Sequence, residues 1–257
     1  MDRVNSIDAA APDQGPAECP NCGLLAWGEF GLAAKADAAL FNEQIAHHRQ
    51  IRKGAHLYQA GEPLDSLHVI RSGFLVTTTV NNLGFEQVTR FLMPGDTTGM
   101  DGIANGVHQC NTVAIEDSSV CGISFAQLEK LCAKQQAVQR RFHRLLSQEI
   151  NRDQSLLLLL GGMRGPERLA VFLLNLSAQY SASGHSATNF RLPMRYKDIA
   201  SYLGLRLETV SRLFAQFSKD ELIALENKHI YIKNASGLKQ LIGDYDKRRS
   251  PVPGDDF

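Results

Sequence analysis

Long hydrophobic runs are missing from this chain. No stretch approaches the ~20 apolar residues that a membrane span requires, and the longest aliphatic run, Leu156 to Leu160, stops at Gly161-Gly162. A basic start followed by an apolar core is missing as well, so secretion is not expected. Cysteine is scarce and odd in number, five in 257 residues, which argues against a disulfide framework and for reduced thiols in a cytoplasmic protein. Net charge is absent too, with 27 Lys and Arg balancing 27 Asp and Glu. Catalytic signatures are also lacking: there is no Gly-rich phosphate loop, no His-Glu-x-x-His, no Gly-x-Ser-x-Gly and no carboxylate pair placed to form a site. The chain does not read as an enzyme.

What is present begins with enough apolar material, 44% hydrophobic residues, to bury the core of one large domain or two ordinary ones. The balanced charge is unevenly spread. Residues 161–250 hold 14 Lys and Arg against 8 Asp and Glu, whereas residues 1–160 hold 13 against 17. A local positive surplus is what a phosphate backbone responds to.

The pattern changes along the chain. Residues 1–18, rich in Ala, Asp, Pro and Gly without period, read as a disordered leader. From about Ile51 to Phe125, alternating apolar runs are broken by turn residues: around Leu57, Leu67–Ile70, Phe74–Val80, Gln87–Leu92, Asn111–Ile115 and Ser119–Ser124. Short strands at such spacing read as an antiparallel barrel or sandwich. After Phe125 the period turns helical. "FAQLEKLCAKQ" gives a short helix, and "AVQRRFHRLLSQEINRDQSLLLLLGG" a long one that ends at its glycines. Leu146, Ile150, Asp153, Leu157 and Leu160 are spaced 4, 3, 4 and 3 in the long helix, the seam spacing of a dimerising coiled coil. Asp153 interrupts that seam: a carboxylate there would repel its symmetry mate, or else it is a solvated residue just off the stripe. Pro166 opens a further helix; "FRLPM" reads as an edge strand, and "HIYIKN" alternates like another.

"YKDIASYLGLRLETVSRLFAQF", Tyr196 to Phe217, is the most informative stretch. Ile199, Ala200 and Leu203 form an apolar helix start, Gly204 can take the left-handed backbone of a tight helix–helix turn, and Leu207, Val210, Leu213 and Phe214 are expected to face inward from a second helix. That helix would present Arg206, Glu208, Thr209, Ser211 and Arg212 on its outer face. These are groups able to read base edges: Arg to guanine, Glu to the cytosine amino group, Ser to either.

These segments together resemble the CRP/FNR family of bacterial transcription regulators, the FNR branch in particular. The residues that carry the resemblance are "GEPLDSLHVIRSGFL", "FLMPGD", "EINRDQSLLLLL" and "DIASYLGLRLETVSRL", within residues 19 to 245. The resemblance implies an α+β fold: an N-terminal antiparallel β-roll of the cyclic-nucleotide-binding kind, a long dimerisation helix and a C-terminal winged helix-turn-helix. On this reading residues 1–30 are a flexible segment with the Cys pair, 31–130 the β-roll, 133–162 the dimerisation helix, 164–246 the winged helix, and 247–257 a disordered tail. It further implies that Glu208, Ser211 and Arg212 contact bases in double-stranded DNA with a palindromic TTGAT/ATCAA-like site, one reader helix per half-site about one DNA turn (~34 Å) apart. The expected protein is a cytoplasmic homodimer that works with RNA polymerase, as an activator of anaerobic genes.

Two kinds of signal compete within such a family. A cyclic nucleotide needs a guanidinium to pair with its phosphate, and no Arg lies between Arg90 and Arg140; no cyclic nucleotide is expected. The FNR branch instead holds a [4Fe–4S] cluster on four thiolates, three in a Cys-x2-Cys-x5-Cys run and one in the barrel. Cys19 and Cys22 in "AECPNCGLLAWGEFG" match the first two and Cys121 the barrel ligand, but the third position is Gly28. Cys110 or Glu29 is the leading fourth donor, with Cys132, His47 and His48 also available. A thiol switch or a zinc site built on the same cysteines, or a regulator with no gate, are the alternatives.

Overall fold

The computed structural model describes residues 46–81 and 83–249, with side chains described from His48 to Gly243. The readings placed on the leader, the Cys19–Cys22 pair, Gly28, Glu29 and residues 250–257 lie outside the described residues. The chain forms two compact units, one ending at Val76 and resuming over Leu92–His143, the other made of Thr77–Phe91 and the chain from Arg144 onward.

The first unit is a β-roll. Its strands are β1 (Ala46–Ile51), β2 (His56–Tyr58), β3 (Ser66–Ser72), the start of β4 (Leu75–Val80), the end of β5 (Glu86–Leu92), β6 (Thr97–Thr98), β7 (Asn111–Ala114) and β8 (Ser118–Ser124). They form two four-stranded sheets, ordered β1-β8-β3-β6 and β2-β7-β4-β5. The first is antiparallel throughout, with Arg49 and Ile70 flanking Val120, and His48 and Val69 flanking Cys121. Alternation decides which of these residues face the core. Ile51, Leu57, Tyr58, Ile70, Leu75, Leu92, Cys110, Ala114 and Val120 make one buried cluster, whereas Cys121, one residue on from Val120, points to the other face of β8. Gly73 is required between β3 and β4: its φ is 83°, and a Cβ there would lie 2.3 Å from Ser118 Oγ.

The core cluster has a polar neighbour. Tyr58 stacks on His108 with centroids 3.7 Å apart, and its hydroxyl shares a hydrogen bond with Thr98 Oγ1 at 2.6 Å. His108 Nδ1 lies 3.3 Å from Asp101 Oδ1, and Tyr58 also meets His68 at 6.2 Å between rings. Burial, then Arg49 and His108 nearby, push His68 down to about 4, so its imidazole is neutral at pH 7.

Two strands had no sequence signal. β1, "AHHRQI", is nearly all polar, and β6 has only two residues. Both exist because β8 and β3 supply paired partners, which single-strand patterning does not show. Helix α1 (Phe125–Lys134) follows β8, and α2 (Gln136–Gly162) begins after Gln135, whose extended backbone (φ −128°, ψ 102°) separates the two helices. The long helix expected from residue 133 therefore starts three residues later.

In the second unit, α3 (Gly165–Ala182) carries Pro166 in its first turn and buries Leu169, Phe172, Leu173 and Leu176. Then come β9 (Asn189–Arg191), α4 (Tyr196–Leu203), α5 (Leu207–Lys219), β10 (Ile223–Glu226), β11 (His229–Ile232) and α6 (Ala235–Arg249). The small sheet runs β10-β11-β9, which puts the expected "FRLPM" strand at an edge. β10 and α6 were not expected, and α6 makes residues 247–249, read as tail, helical. The whole is an α+β chain of β-roll, long helix and winged helix-turn-helix, as the sequence led one to expect.

Candidate nucleic-acid interface and thiol site

Helix α4 is started by a capping arrangement: the Arg195 backbone N–H and Nε both donate to Asp198 Oδ2, at 3.2 and 2.9 Å. It buries Ile199, Ala200 and Leu203, then stops at Gly204, which adopts φ 60°, ψ 40°. Only glycine enters this conformation without strain. Space is tight there as well, since a Cβ would come within 3.2 Å of both Arg168 Nη1 and Leu160 Cδ2, which would have to shift by a few tenths of an ångström. Arg168 fixes the same corner: Nε donates to Met163 O, Nη1 to Leu203 O and Nη2 to Leu160 O, each at 2.8 Å. The C-terminal end of α2 and the turn of the helix pair are thus held by one guanidinium.

Helix α5 buries Val210, Leu213, Phe214 and Phe217, and the Phe214 ring stacks on Tyr196 at 4.6 Å. Fully burying such side chains contributes about 1.5–3 kcal/mol each, so the helix is clamped by its inner stripe. Arg206, Glu208, Ser211 and Arg212 are exposed and Thr209 half-buried. One expectation fails: Leu207, read as inward, is 47% exposed. It is the first residue of the helix, and the core stripe begins one turn later at Val210. Leu207 therefore lies on the exposed side of α5, with Arg206, Glu208, Ser211 and Arg212. Its apolar character hid this from sequence reasoning.

On α2, Ile150 is 56% and Leu157 70% exposed, Asp153 and Leu158 are also exposed, and Leu146 and Leu160 are half-buried. Asp153 also lines a groove of about 450 Å³ with Arg90, Glu149, Arg152, Phe172 and Tyr202. Arg90 pairs with Glu149 there, and Val88 N–H donates to Ser201 Oγ at 2.8 Å.

The three described cysteines lie in different surroundings. Cys121 Sγ lies 3.4 Å from His48 Nδ1, and Arg71 Nη1 is 3.1 Å from that same nitrogen. Cys110 is buried in the core cluster, where its thiol and backbone N–H donate to Asp101 Oδ2 at 3.1 and 3.2 Å. Cys132 lies on α1, where burial and then Glu129 push its thiol up. Among the described residues no three His, Cys, Asp or Glu stand together as a metal site. Cys121 and His48 are thus a thiol and an imidazole side by side, two donor types that soft metals accept, with the Cys121 thiol itself fully buried.

The fold and the exposed face of α5 define the class: a DNA-binding transcription regulator with an N-terminal β-roll. Comparison with known proteins agrees. The cyclic nucleotide-binding domain family matches residues 48–135, and the Crp-like helix-turn-helix domain family matches residues 167–241. The fumarate and nitrate reduction regulatory protein of Escherichia coli K12 is 42% identical over 77% of this chain and 80% of its own. The transcriptional activator protein Anr of Pseudomonas protegens is 39% identical over 88% of this chain and 93% of its own. Among solved structures, FixK2 from Bradyrhizobium japonicum superposes with a TM-score of 0.71 at 29% identity, over 77% of this chain and 97% of that one. The chain belongs to the CRP/FNR family of transcription regulators, which are not enzymes. No helix among the described residues is long and apolar enough to cross a membrane.

Proposed function

We propose that the protein is a homodimeric regulator of anaerobic gene expression, gated by oxygen or redox state through Cys19, Cys22 and Cys121. The observation that carries its DNA-reading part is the rigid α5 face, where Arg206, Glu208, Ser211 and Arg212 stand exposed over a buried Val210–Phe217 stripe. Two such faces in a dimer would read a TTGAT/ATCAA-like palindrome, with Arg212 and Glu208 on base edges and Thr209 close by. RNA polymerase is the partner this class of regulator recruits.

The exposed Ile150, Leu157 and Leu158 support a dimer through α2, because an isolated helix with so much apolar surface gains by covering it. Asp153, exposed between Ile150 and Leu157, opposes that association and makes it conditional. Thiolates of Cys19, Cys22 and Cys121 would hold a [4Fe–4S] cluster, which supplies oxygen sensitivity when bound. Holding Cys19 and Cys22 beside β8 ties the N-terminal segment to the roll; releasing them shifts the population from dimer toward monomer. A cyclic nucleotide is not the signal on this reading, because the stretch from Phe91 to Gln139 supplies no guanidinium for its phosphate.

Operator binding with and without oxygen tests the gate. Binding at least tenfold tighter under anaerobic conditions is expected. Equal affinity in both atmospheres would leave a DNA-binding regulator without this gate.

A further inference from the structure

We infer that Arg168 is a positioning residue for DNA reading: by capping two helices at once it fixes the angle between α2 and the α4–α5 reader, and so sets which half-site spacing the dimer accepts. This rests on reading α2 as the pairing helix and α5 as the reader of a two-fold site.

The guanidinium joins two helix ends. Nη2 donates to Leu160 O and Nε to Met163 O, at and just past the C-terminal end of α2, and Nη1 donates to Leu203 O at the end of α4, each at 2.8 Å. Last-turn carbonyls lack a partner within their own helix and carry its negative end, which a cation favours. The ladder does not continue from Leu160, because the N–H four residues on, that of Arg164, donates to Glu167 Oε2 at 2.9 Å. A planar fork holds three acceptors in one mutual arrangement, which a flexible ammonium does not enforce.

The backbone at this joint needs such a brace. It runs Gly161-Gly162-Met163-Arg164-Gly165, and three glycines so close together bend readily on their own. Side chains close the joint around Arg168. Leu160 ends the stripe of Leu146, Ile150, Asp153 and Leu157, and its Cδ2 lies 3.2 Å from where a Gly204 Cβ would stand. A Cβ on Gly165 would lie 3.5 Å from Leu205 Cδ2 and 3.4 Å from Leu213 Cδ1, the latter on the inner face of α5. The last residue of the pairing stripe therefore touches the turn of the reader.

Geometry converts this brace into spacing. Each base pair turns the duplex by about 35° and advances it by about 3.4 Å. A rigid pair of readers fits one separation, whereas a loose pair fits several and loses affinity by ordering the joint on binding.

The test is fluorescence anisotropy of the full chain under anaerobic conditions. The duplexes carry TTGAT and ATCAA half-sites about one turn apart, the same with one base pair added or removed, and a single half-site. Wild type, Arg168→Ala, Arg168→Lys and Phe190→Leu are compared. Phe190 is buried beside Tyr180 at the other end of α3, so its variant controls for lost stability. Wild type is expected to prefer one spacing by about tenfold or more. Arg168→Ala should cut that preference to about threefold or less, Arg168→Lys should fall between, and Phe190→Leu should keep it. All four should bind the single half-site alike and sediment as dimers. Where Arg168→Ala is too unstable to purify, the reduced preference of Arg168→Lys carries the comparison. Arg168 variants that keep the wild-type preference, with affinity falling equally on every duplex, overturn the assignment and leave Arg168 a stabilising residue. Loss of half-site binding or of the dimer in the Arg168 variants alone places its effect elsewhere and overturns it too. Wild type without any spacing preference overturns the two-fold reading on which the inference rests.

Discussion

Three carbonyl oxygens converge on Arg168, from Leu160, Met163 and Leu203. Hydrogen bonds to a charged group contribute about 1.5–3 kcal/mol each, net of the water they replace, and less where they share one group. Arg168→Ala should then lower stability by about 3 kcal/mol in urea unfolding, and Arg168→Lys should recover only part, because an ammonium cannot span the three acceptors. His68 gives a pH signature. Its folded value of about 4 lies below the ordinary 6.5, so the unfolded chain binds the extra proton first. Its contribution, up to about 3 kcal/mol, is complete above pH 6.5 and is lost as pH falls toward 4. Urea midpoints between pH 7 and 4.5 should drop less steeply in His68→Gln than in wild type. At this scale the exposed positions Arg206, Glu208, Ser211 and Arg212 were legible, because polar residues around an apolar stripe have few places to go. Leu207 was not, since hydrophobicity alone cannot tell a first-turn residue from a core one.

The turn between α4 and α5 depends on Gly204 for both conformation and space. Gly204→Val combines a β-branched residue at φ 60° with the two 3.2 Å approaches, and should cost at least ~2 kcal/mol. Gly204→Asn, more tolerant of this backbone, should lose less; thermal unfolding of both variants reads the difference. Helices α2 to α5 were legible because periodicity, Pro166 and the glycines mark them locally. Strands β1, β6 and β10 were not, because a short or polar strand is specified by its neighbour in the sheet. Cys121 could be placed on a strand from sequence, but its contact with His48 is 73 residues away along the chain. Only the antiparallel register makes that contact visible.

At the scale of the whole molecule, the proposed function needs two copies of the exposed α5 face, and α2 offers the apolar surface to pair them. The apolar face of α2 predicts that Leu157→Glu, which adds a charge at a position 70% exposed in the protomer, leaves the fold intact but yields monomers by sedimentation. Operator affinity should fall with the dimer. Domain order was readable from the sequence, since the change of period from 2 to 3.6 marks where roll gives way to helices. The central claim is that α5 reads DNA, and fluorescence anisotropy with a TTGAT/ATCAA duplex and a scrambled one tests it most directly. Arg212→Ala should bind the palindrome more weakly by about 1–3 kcal/mol and lose preference over the scrambled duplex. Unchanged affinity and unchanged preference in Arg212→Ala would contradict the account.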